Sequence, residues 1–386
     1  CEECEIPLRV LPSRHDVVGK VTARDIRDLR IEDLLGRLQV ETDLEAVSAM
    51  LRGQRVVVTG AGGSIGAEIS RQIAAIEIDE LLVLDHDETH LHDLLIDLEA
   101  DPRVDPVLAD IRDRHLMASL FERFRPDIVF HAAAHKHVPI LEAHPGEAVL
   151  TNVIGTANVA DAAIGAGASR FVLISTDKAV NTANVMGASK RFAEEIVRSR
   201  SDGECVMSSV RFGNVLGSRG SVIPTFLRQI ERGGPVTVTD PAMTRYFMSL
   251  EEAVQLVLQA GALAEGGEVF TLEMGEPVNI LDLARRLVRL AGRVPGRDVP
   301  VEIIGARPGE KLEEELVAED EELRPTVHPG IAFSRPPRPD TTRLRDAIHE
   351  LETLLALGDD AKLADRIKTL ATEPNVPLAR ARGGAA

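Results

Sequence analysis

The sequence contains no run of eighteen apolar residues, so it offers no continuous segment of the composition that crosses a bilayer as a helix. No stretch has the charged, apolar and small-residue order of a secretory signal. Cysteine is scarce: three in 386 residues, too few for a disulfide framework. Cys1 and Cys4 form a C-x-x-C with no second half, which reads as incidental, and the compartment expected is a reducing cytosol. Positive charge is also short. The formal net charge of −18 argues against a broad nucleic-acid surface, although a local basic cleft can still hold an anion. Tyrosine occurs once, at Tyr246, and lysine seven times against thirty-seven arginines. Lys136, Lys178 and Lys190 fall in one short region. Arginine does not release a proton near neutrality, whereas a desolvated lysine can, so this clustering points to chemistry there.

What is present is a regular alternation. "RVVVTG" (55–60) reads as a buried strand and "SIGAEISRQIAAI" (64–76) as an amphipathic helix. Further strands are expected at 80–87, 104–111, 127–134, 170–176 and 205–215, with helical stretches between the earlier ones. That pattern predicts an α/β fold of Rossmann type: a doubly wound parallel sheet with helices on both faces. Short strands at 232–240 and 267–277, with helices at 249–263 and 279–292, predict a smaller α/β substrate lobe at the sheet's carboxyl edge. The expected domains are a helical arm at 1–52, an NAD-binding domain at 53–235, a substrate lobe at 236–345 with contributions from 211–228, and a helix and disordered tail at 346–386. No internal repeat is visible.

"VVVTGAGGSIGAEI" places Gly60, Gly63 and Gly66 between a strand and a helix that opens with Ser64 and Ile65. Such a turn lets backbone N–H groups and the helix N-terminus approach a pyrophosphate. Asp85 ends the second strand, where a carboxylate accepts from ribose hydroxyls and repels a 2′-phosphate, so the cofactor expected is NAD. Asp110 and Ile111 follow the third strand at the adenine edge, and Ala132 and Ala133 follow the fourth, leaving the cofactor room.

Ser175 closes the fifth strand, and Met186 and Lys190 lie one helical turn apart. This order, with "TGAGGSIG", resembles the extended short-chain dehydrogenase/reductase family. In that family the lysine, here Lys190, grips the nicotinamide ribose beside the serine, and a tyrosine takes a hydroxyl proton. Met186 stands where the tyrosine is expected and has no proton to exchange. Thr176, Asp177 and Lys178 supply an alternative: an acid and a base side by side at a strand's carboxyl end. Elimination of water asks for that pair, because the departing hydroxyl needs an acid and the neighbouring carbon a base.

"STDKAV", "NVMGASK", "HAAAHKHVPILE" and "RFGNVLGSRGSVIPTF" together resemble the UDP-N-acetylglucosamine 4,6-dehydratases, in particular their membrane-associated polysaccharide-biosynthesis branch, over roughly residues 25–330. The resemblance implies a redox-neutral cycle. NAD removes hydride from C4 of a UDP-sugar, Lys178 takes the C5 proton, Asp177 protonates the departing 6-hydroxyl (or the two exchange these roles), and hydride returns to C6. It also implies substrate contacts at Lys136, His137, Asn214, Val215, Arg219, Arg245, Glu310 and Lys311. A homo-oligomer is expected. So is a membrane region ahead of Cys1, which would place the full-length protein at the cytoplasmic face of a bacterial inner membrane and leave this piece soluble. His131, His135 and His137 lack carboxylate partners, and no metal is expected. A nucleotide-sugar epimerase and a non-catalytic NAD sensor are the competing readings.

Overall fold

Three consecutive valines make Arg55–Thr59 (β1) a strand with no solvent face; Val56, Val57 and Val58 are fully buried. Strands of that kind sit at the centre of a parallel sheet. The computed structural model describes residues 9–10, 27–28 and 42–373, apart from Ala100, Asp202 and Asp320. In it β1 is joined by Glu80–Asp85 (β2), Val104–Leu108 (β3), Ile128–His131 (β4), Arg170–Ile174 (β5), Val206–Arg211 (β6) and Val269–Leu272 (β7), all parallel. Arg324–Pro325 (β8) and Ile331–Ser334 (β9) close one edge, β9 running antiparallel to both β7 and β8. The order is β8–β9–β7–β6–β5–β4–β1–β2–β3. Register is set at the centre, where Val58 lies between Val83 and Phe130. The order reverses between β1 and β4, which makes the crevice beyond their carboxyl ends the place for a ligand.

Helices cover both faces. Ser64–Ala74 (α1) follows β1, and Arg114–Phe124 (α2), Thr156–Gly165 (α3) and Val185–Ser199 (α4) pack on one face through Met117, Phe121, Val159, Ala163 and Val197. Leu250–Leu263 (α5) lies on the other face, where Gly261 comes close to Val172 and Phe130. The helical stretch Pro145–Gly165 is long and apolar enough to cross a membrane by length and composition, which inspection for continuous apolar runs does not reveal; 72% of its apolar 18-residue window is buried inside the protein, so here it is a core helix.

A helical hairpin, Thr341–Leu357 (α6) and Asp360–Thr372 (α7), replaces the single carboxyl-terminal helix expected. Asp340 and Asp359 cap the two starts, and Gly358, at φ +66°, ends α6 in the left-handed conformation glycine favours. Leu351, Leu363 and Ile367 join Val149, Val153, Phe192 and Ile196 in one buried cluster, so the hairpin covers part of α4. The tail from 374 lies outside the described residues.

The expected domain boundaries need correction. The chain divides into two compact units, one drawn from Val40–Gly213, Leu250–Met274 and Arg307–Ala386, the other from Cys1–Gln39, Asn214–Ser249 and Gly275–Ala306, each over its described residues. Cuts at 235 and 345 miss this because the chain leaves the sheet unit and re-enters it: β7 is the seventh parallel strand and α5 packs against α1 and the sheet. The second unit pairs Val236–Val238 with Val301–Ile303 and Thr244–Arg245 with Val278–Asn279, around Phe226, Val238, Phe247 and Leu287. The arm expected at 1–52 lies largely outside the described residues. Arg9–Val10 pairs antiparallel with Arg27–Asp28 and, among the described residues, a helix runs over Leu44–Leu51; the rest of 1–41, including Cys1 and Cys4, lies outside the described residues.

Candidate active site

The turn after β1 is shaped by two glycines. Gly60 has φ +67°, and a Cβ there would lie 2.6 Å from the Ala133 backbone. A Cβ on Gly66, in the first turn of α1, would lie 2.1 Å from the Gly60 carbonyl. Gly63 donates its N–H to Gly60 at 3.0 Å, and Ser64 and Ile65 open the helix behind it. Asp85 is buried; one oxygen accepts from Gly62 N–H at 2.8 Å and the other from Asp87 N–H at 2.9 Å. Its carboxylate therefore ties β2 to the glycine turn. A cavity of about 510 Å³ opens here, lined by Gly60, Gly63, Asp85, Asp110, Ile111, Ala132 and Ala133 among others. Backbone N–H groups at a helix start, an acid at the end of β2 and that volume fit an adenine dinucleotide.

Part of this wall was not evident from the sequence. Arg112 donates to Thr151 at 2.9 Å, contacts His135 Nε2 at 3.1 Å and pairs with Glu147, and all four residues line the cavity. Burial, then the Arg112 charge, lowers the pKa of His135. Asn152, in a π-helical turn over Val149–Gly155, accepts from His135 N–H at 2.8 Å and donates to Ser189 Oγ at 2.9 Å. A polar residue inside the apolar run "VLTNVIG" was the available signal. His131 is fully buried, with both ring nitrogens hydrogen-bonded, to Thr59 Oγ1 at 2.6 Å and Thr156 Oγ1 at 2.9 Å. Burial, reinforced by Lys190, pushes its pKa down to about 3, so it is a neutral structural link.

Beyond β5 the chain makes one 3₁₀ turn, Asp177–Ala179. Asp177 is fully buried and its N–H is fixed by the Phe212 carbonyl at 3.0 Å. Asp177 Oδ1 accepts from Thr176 Oγ1 and from Lys178 Nζ, each at 2.9 Å. Its Oδ2 is buried with no hydrogen-bond partner among the described residues. Lys178 Nζ also lies 3.6 Å from Glu314 Oε1. The expected acid and amine are thus brought together.

Lys190 is buried and donates to the Ile174 carbonyl at 2.6 Å, next to Ser175. Burial pushes its pKa down to about 8, against the opposing pull of Glu194. Ser175 donates to Glu194 at 2.6 Å. Glu194 is gripped through both oxygens by Arg211, at 2.7 Å each, and Arg211 also pairs with Glu321 at 2.6 Å. Burial raises the pKa of Glu194, but Arg211 outweighs it and the net shift is downward. Met186 is buried in the apolar cluster shared with the hairpin.

The remaining substrate candidates fall in both units. Lys136 and His137 are exposed at the start of the short helix Val138–Ala143. Glu310 accepts from the Arg307 N–H at 3.1 Å, and Lys311 donates to the Val180 carbonyl at 3.2 Å. Asn214, Val215, Arg219 and Arg245 belong to the other unit; there Asn214–Val215 pairs with Phe247–Met248, Arg245 is buried and Arg219 is exposed.

The chain is similar to several known proteins. The probable polysaccharide biosynthesis protein EpsC of Bacillus subtilis (strain 168) is 49% identical over 361 residues, covering 91% of this chain and 60% of EpsC, so the chain spans about three fifths of that relative. The X-ray structure of Pen from Bacillus thuringiensis matches with TM-score 0.69 at 34% identity, over 74% of this chain and 90% of Pen. DesIV, the dTDP-glucose 4,6-dehydratase of Streptomyces venezuelae solved with NAD and TYD bound, matches with TM-score 0.62 at 26% identity, over 68% of this chain and 88% of DesIV. The family model for polysaccharide biosynthesis proteins matches residues 56–336. That match begins inside β1 and ends just past β9, taking in the whole sheet and the turns that carry the site, and on that ground the chain belongs to the polysaccharide biosynthesis protein family.

Proposed function

We propose that the chain is an NAD-dependent lyase that converts UDP-N-acetylglucosamine to a UDP-4-keto-6-deoxy-N-acetylhexosamine. One observation carries this reading: a buried carboxylate with one oxygen on Lys178 and the other without a partner among the described residues. Burying such an oxygen unsatisfied is costly, and a sugar hydroxyl would satisfy it.

When bound, NAD supplies acceptance of hydride from sugar C4 and its return to C6. The chain's own groups move the protons. The C4 hydroxyl proton passes to Asp177, directly or through the Thr176 hydroxyl bonded to it. With C4 a ketone, the C5 hydrogen is acidic. Lys178, neutral at that point, takes it; the C6–O bond breaks and its electrons leave with the oxygen. Asp177 gives its proton to that oxygen, which departs as water. Lys178 returns a proton to C5. Two protons are taken and two are given, and Asp177 and Lys178 end as they began.

A 4-epimerase on the same scaffold needs hydride transfer and one proton site; it has no use for an acid and an amine in contact. The Asp177–Lys178 pair therefore favours elimination. The test is incubation with UDP-N-acetylglucosamine and mass analysis of the product. Loss of one water is expected; an isomer of unchanged mass would replace the reading with epimerisation.

A further inference from the structure

The groups around Lys178 include one that the cycle above does not use. Residues from Arg307 onward, without helix or strand until β8, lie against the turn that carries Lys178. Gly309 has φ +80°, and its carbonyl accepts from Asn184 Nδ2 at 2.9 Å. A Cβ there would lie 2.9 Å from Asn184 Cβ and 3.3 Å from Val138 Cγ1, so only glycine seats the strap this closely. Asn184 also caps α4 by accepting from Gly187 N–H at 2.7 Å. Lys311 reaches the Val180 carbonyl, Glu315 accepts from Asn181, and Glu321 pairs with Arg191 at 2.8 Å and with Arg211. Between these anchors the Glu314 side chain is only 3% exposed and lies 3.6 Å from Lys178 Nζ. A carboxylate taken out of water in this way is stabilised by a cation beside it, here Lys178.

We propose that Glu314 is a positioning residue for Lys178, whose carboxylate holds and charge-balances the ammonium that forms when Lys178 takes the C5 proton. The inference rests on the dehydratase reading and deepens it. When Lys178 gains its proton, Asp177 still carries the one destined for the departing hydroxyl and is neutral. Asp177 is then no counter-charge, whereas the Glu314 carboxylate lies 3.6 Å from Lys178 Nζ. An anion at that distance favours the protonated amine. Removing it makes the amine a weaker base while leaving the substrate contacts in place. The elements packed against this turn carry other charged groups: Lys190, Arg191, Glu194, Glu195 and Arg198 on α4, and Glu310, Lys311, Glu313 and Glu315 on the strap.

The experiment compares the full chain with Glu314→Gln, Glu314→Asp and, as a strap control, Glu315→Gln, using UDP-N-acetylglucosamine. NAD retention and unfolding midpoint establish that each variant is folded. For E314Q a kcat lower by roughly tenfold or more is expected, with KM within about threefold. The alkaline-going limb of the pH profile, which reports neutral Lys178, should move down by about one unit. Solvent deuterium should enter C5 more slowly by the same factor as kcat. E314D should recover part of the rate, and E315Q should behave as the parent. If E314Q does not fold, E314D carries the test through the same limb and the same exchange rate. Unchanged kcat and pH profile in E314Q, or an equal loss in E315Q, would overturn the inference while the parent still dehydrates. A parent chain that yields no product lighter by one water removes the dehydratase reading, and this inference with it.

Discussion

Lys178 donates to the same Asp177 oxygen that accepts the Thr176 hydroxyl, while the second Asp177 oxygen is buried with no partner among the described residues. The two side chains should therefore fail differently when changed. In the proposed cycle Lys178→Ala removes the C5 base but leaves Asp177 to accept the C4 proton. Its overall turnover should drop by roughly 10²–10⁴, with reduced nicotinamide accumulating on the protein. Asp177→Asn should lose the C4 step as well, so no reduced nicotinamide builds up. Near-ultraviolet absorbance during single turnover separates the two. Accumulation in both variants would remove Asp177 from the first proton transfer.

Much of the scaffold behind this pair was legible in the sequence. Valine-rich runs buried on both faces announce parallel strands, and "TGAGGSIG" in strand–turn–helix context announces a phosphate cradle. Local chemistry also placed Thr176, Asp177 and Lys178 together. What stayed hidden depends on distant segments meeting. Glu314 reads in sequence as one of several acids in "EKLEEEL", and only the strap's anchors at Asn181 and Asn184 bring it to Lys178. The Arg211 clamp on Glu194 and Glu321 joins three separated stretches in the same way. The domain boundary failed because "VFTL" at 269–272 carries no mark that it pairs with β6.

Gly66 gives a sharp test of the cradle. A methyl group there would have to sit 2.1 Å from the Gly60 carbonyl, a backbone atom that cannot swing aside. Gly66→Ala should displace the turn after β1 and strip the protein of NAD. The check is the nucleotide released by denaturing purified protein. Retention at parental stoichiometry would show that the turn does not set cofactor affinity.

The Arg211 network makes a stability prediction. Arg211 and Glu194 are fully buried, and Arg211→Met would leave Glu194 as a charge without its principal partner. Breaking a buried pair on one side costs about 3–5 kcal/mol, to be read as a shift in the denaturant midpoint. Burial raises the pKa of Glu321, yet Arg211 and Arg191 outweigh it and hold it down to about 2. Its contribution should be complete above about pH 4.5 and disappear as pH falls toward 2.

His131 shifts the other way on the pH scale. Burial and then Lys190 lower its pKa from 6.5 to about 3, so between those values the unfolded chain binds a proton that the folded chain refuses. Stability should accordingly rise with pH across this window and be fully present above 6.5. His131→Gln should flatten that part of the pH–stability curve relative to the parent. The measurement is the unfolding midpoint of both proteins from pH 3 to 7; parallel curves would mean that the imidazole does not carry the difference.

Met186 occupies the place where the related dehydrogenases keep a phenol, and its surroundings argue for packing. It is 3% exposed and belongs to the cluster of Val185, Phe192, Leu351 and Ile367. A thioether there has no proton to give, so a residue of equal volume should replace it. Met186→Leu should cost less than about 1.5 kcal/mol and retain most of the turnover. Met186→Ala should lose about 2–5 kcal/mol by leaving a cavity. Met186→Tyr adds volume to a filled cluster, which costs about 1–3 kcal/mol, and should bring no gain in rate, because in the proposed cycle Asp177 and Lys178 move the protons. A Met186→Leu protein that folds and binds NAD but has lost turnover would show that the sulfur contributes to the chemistry after all.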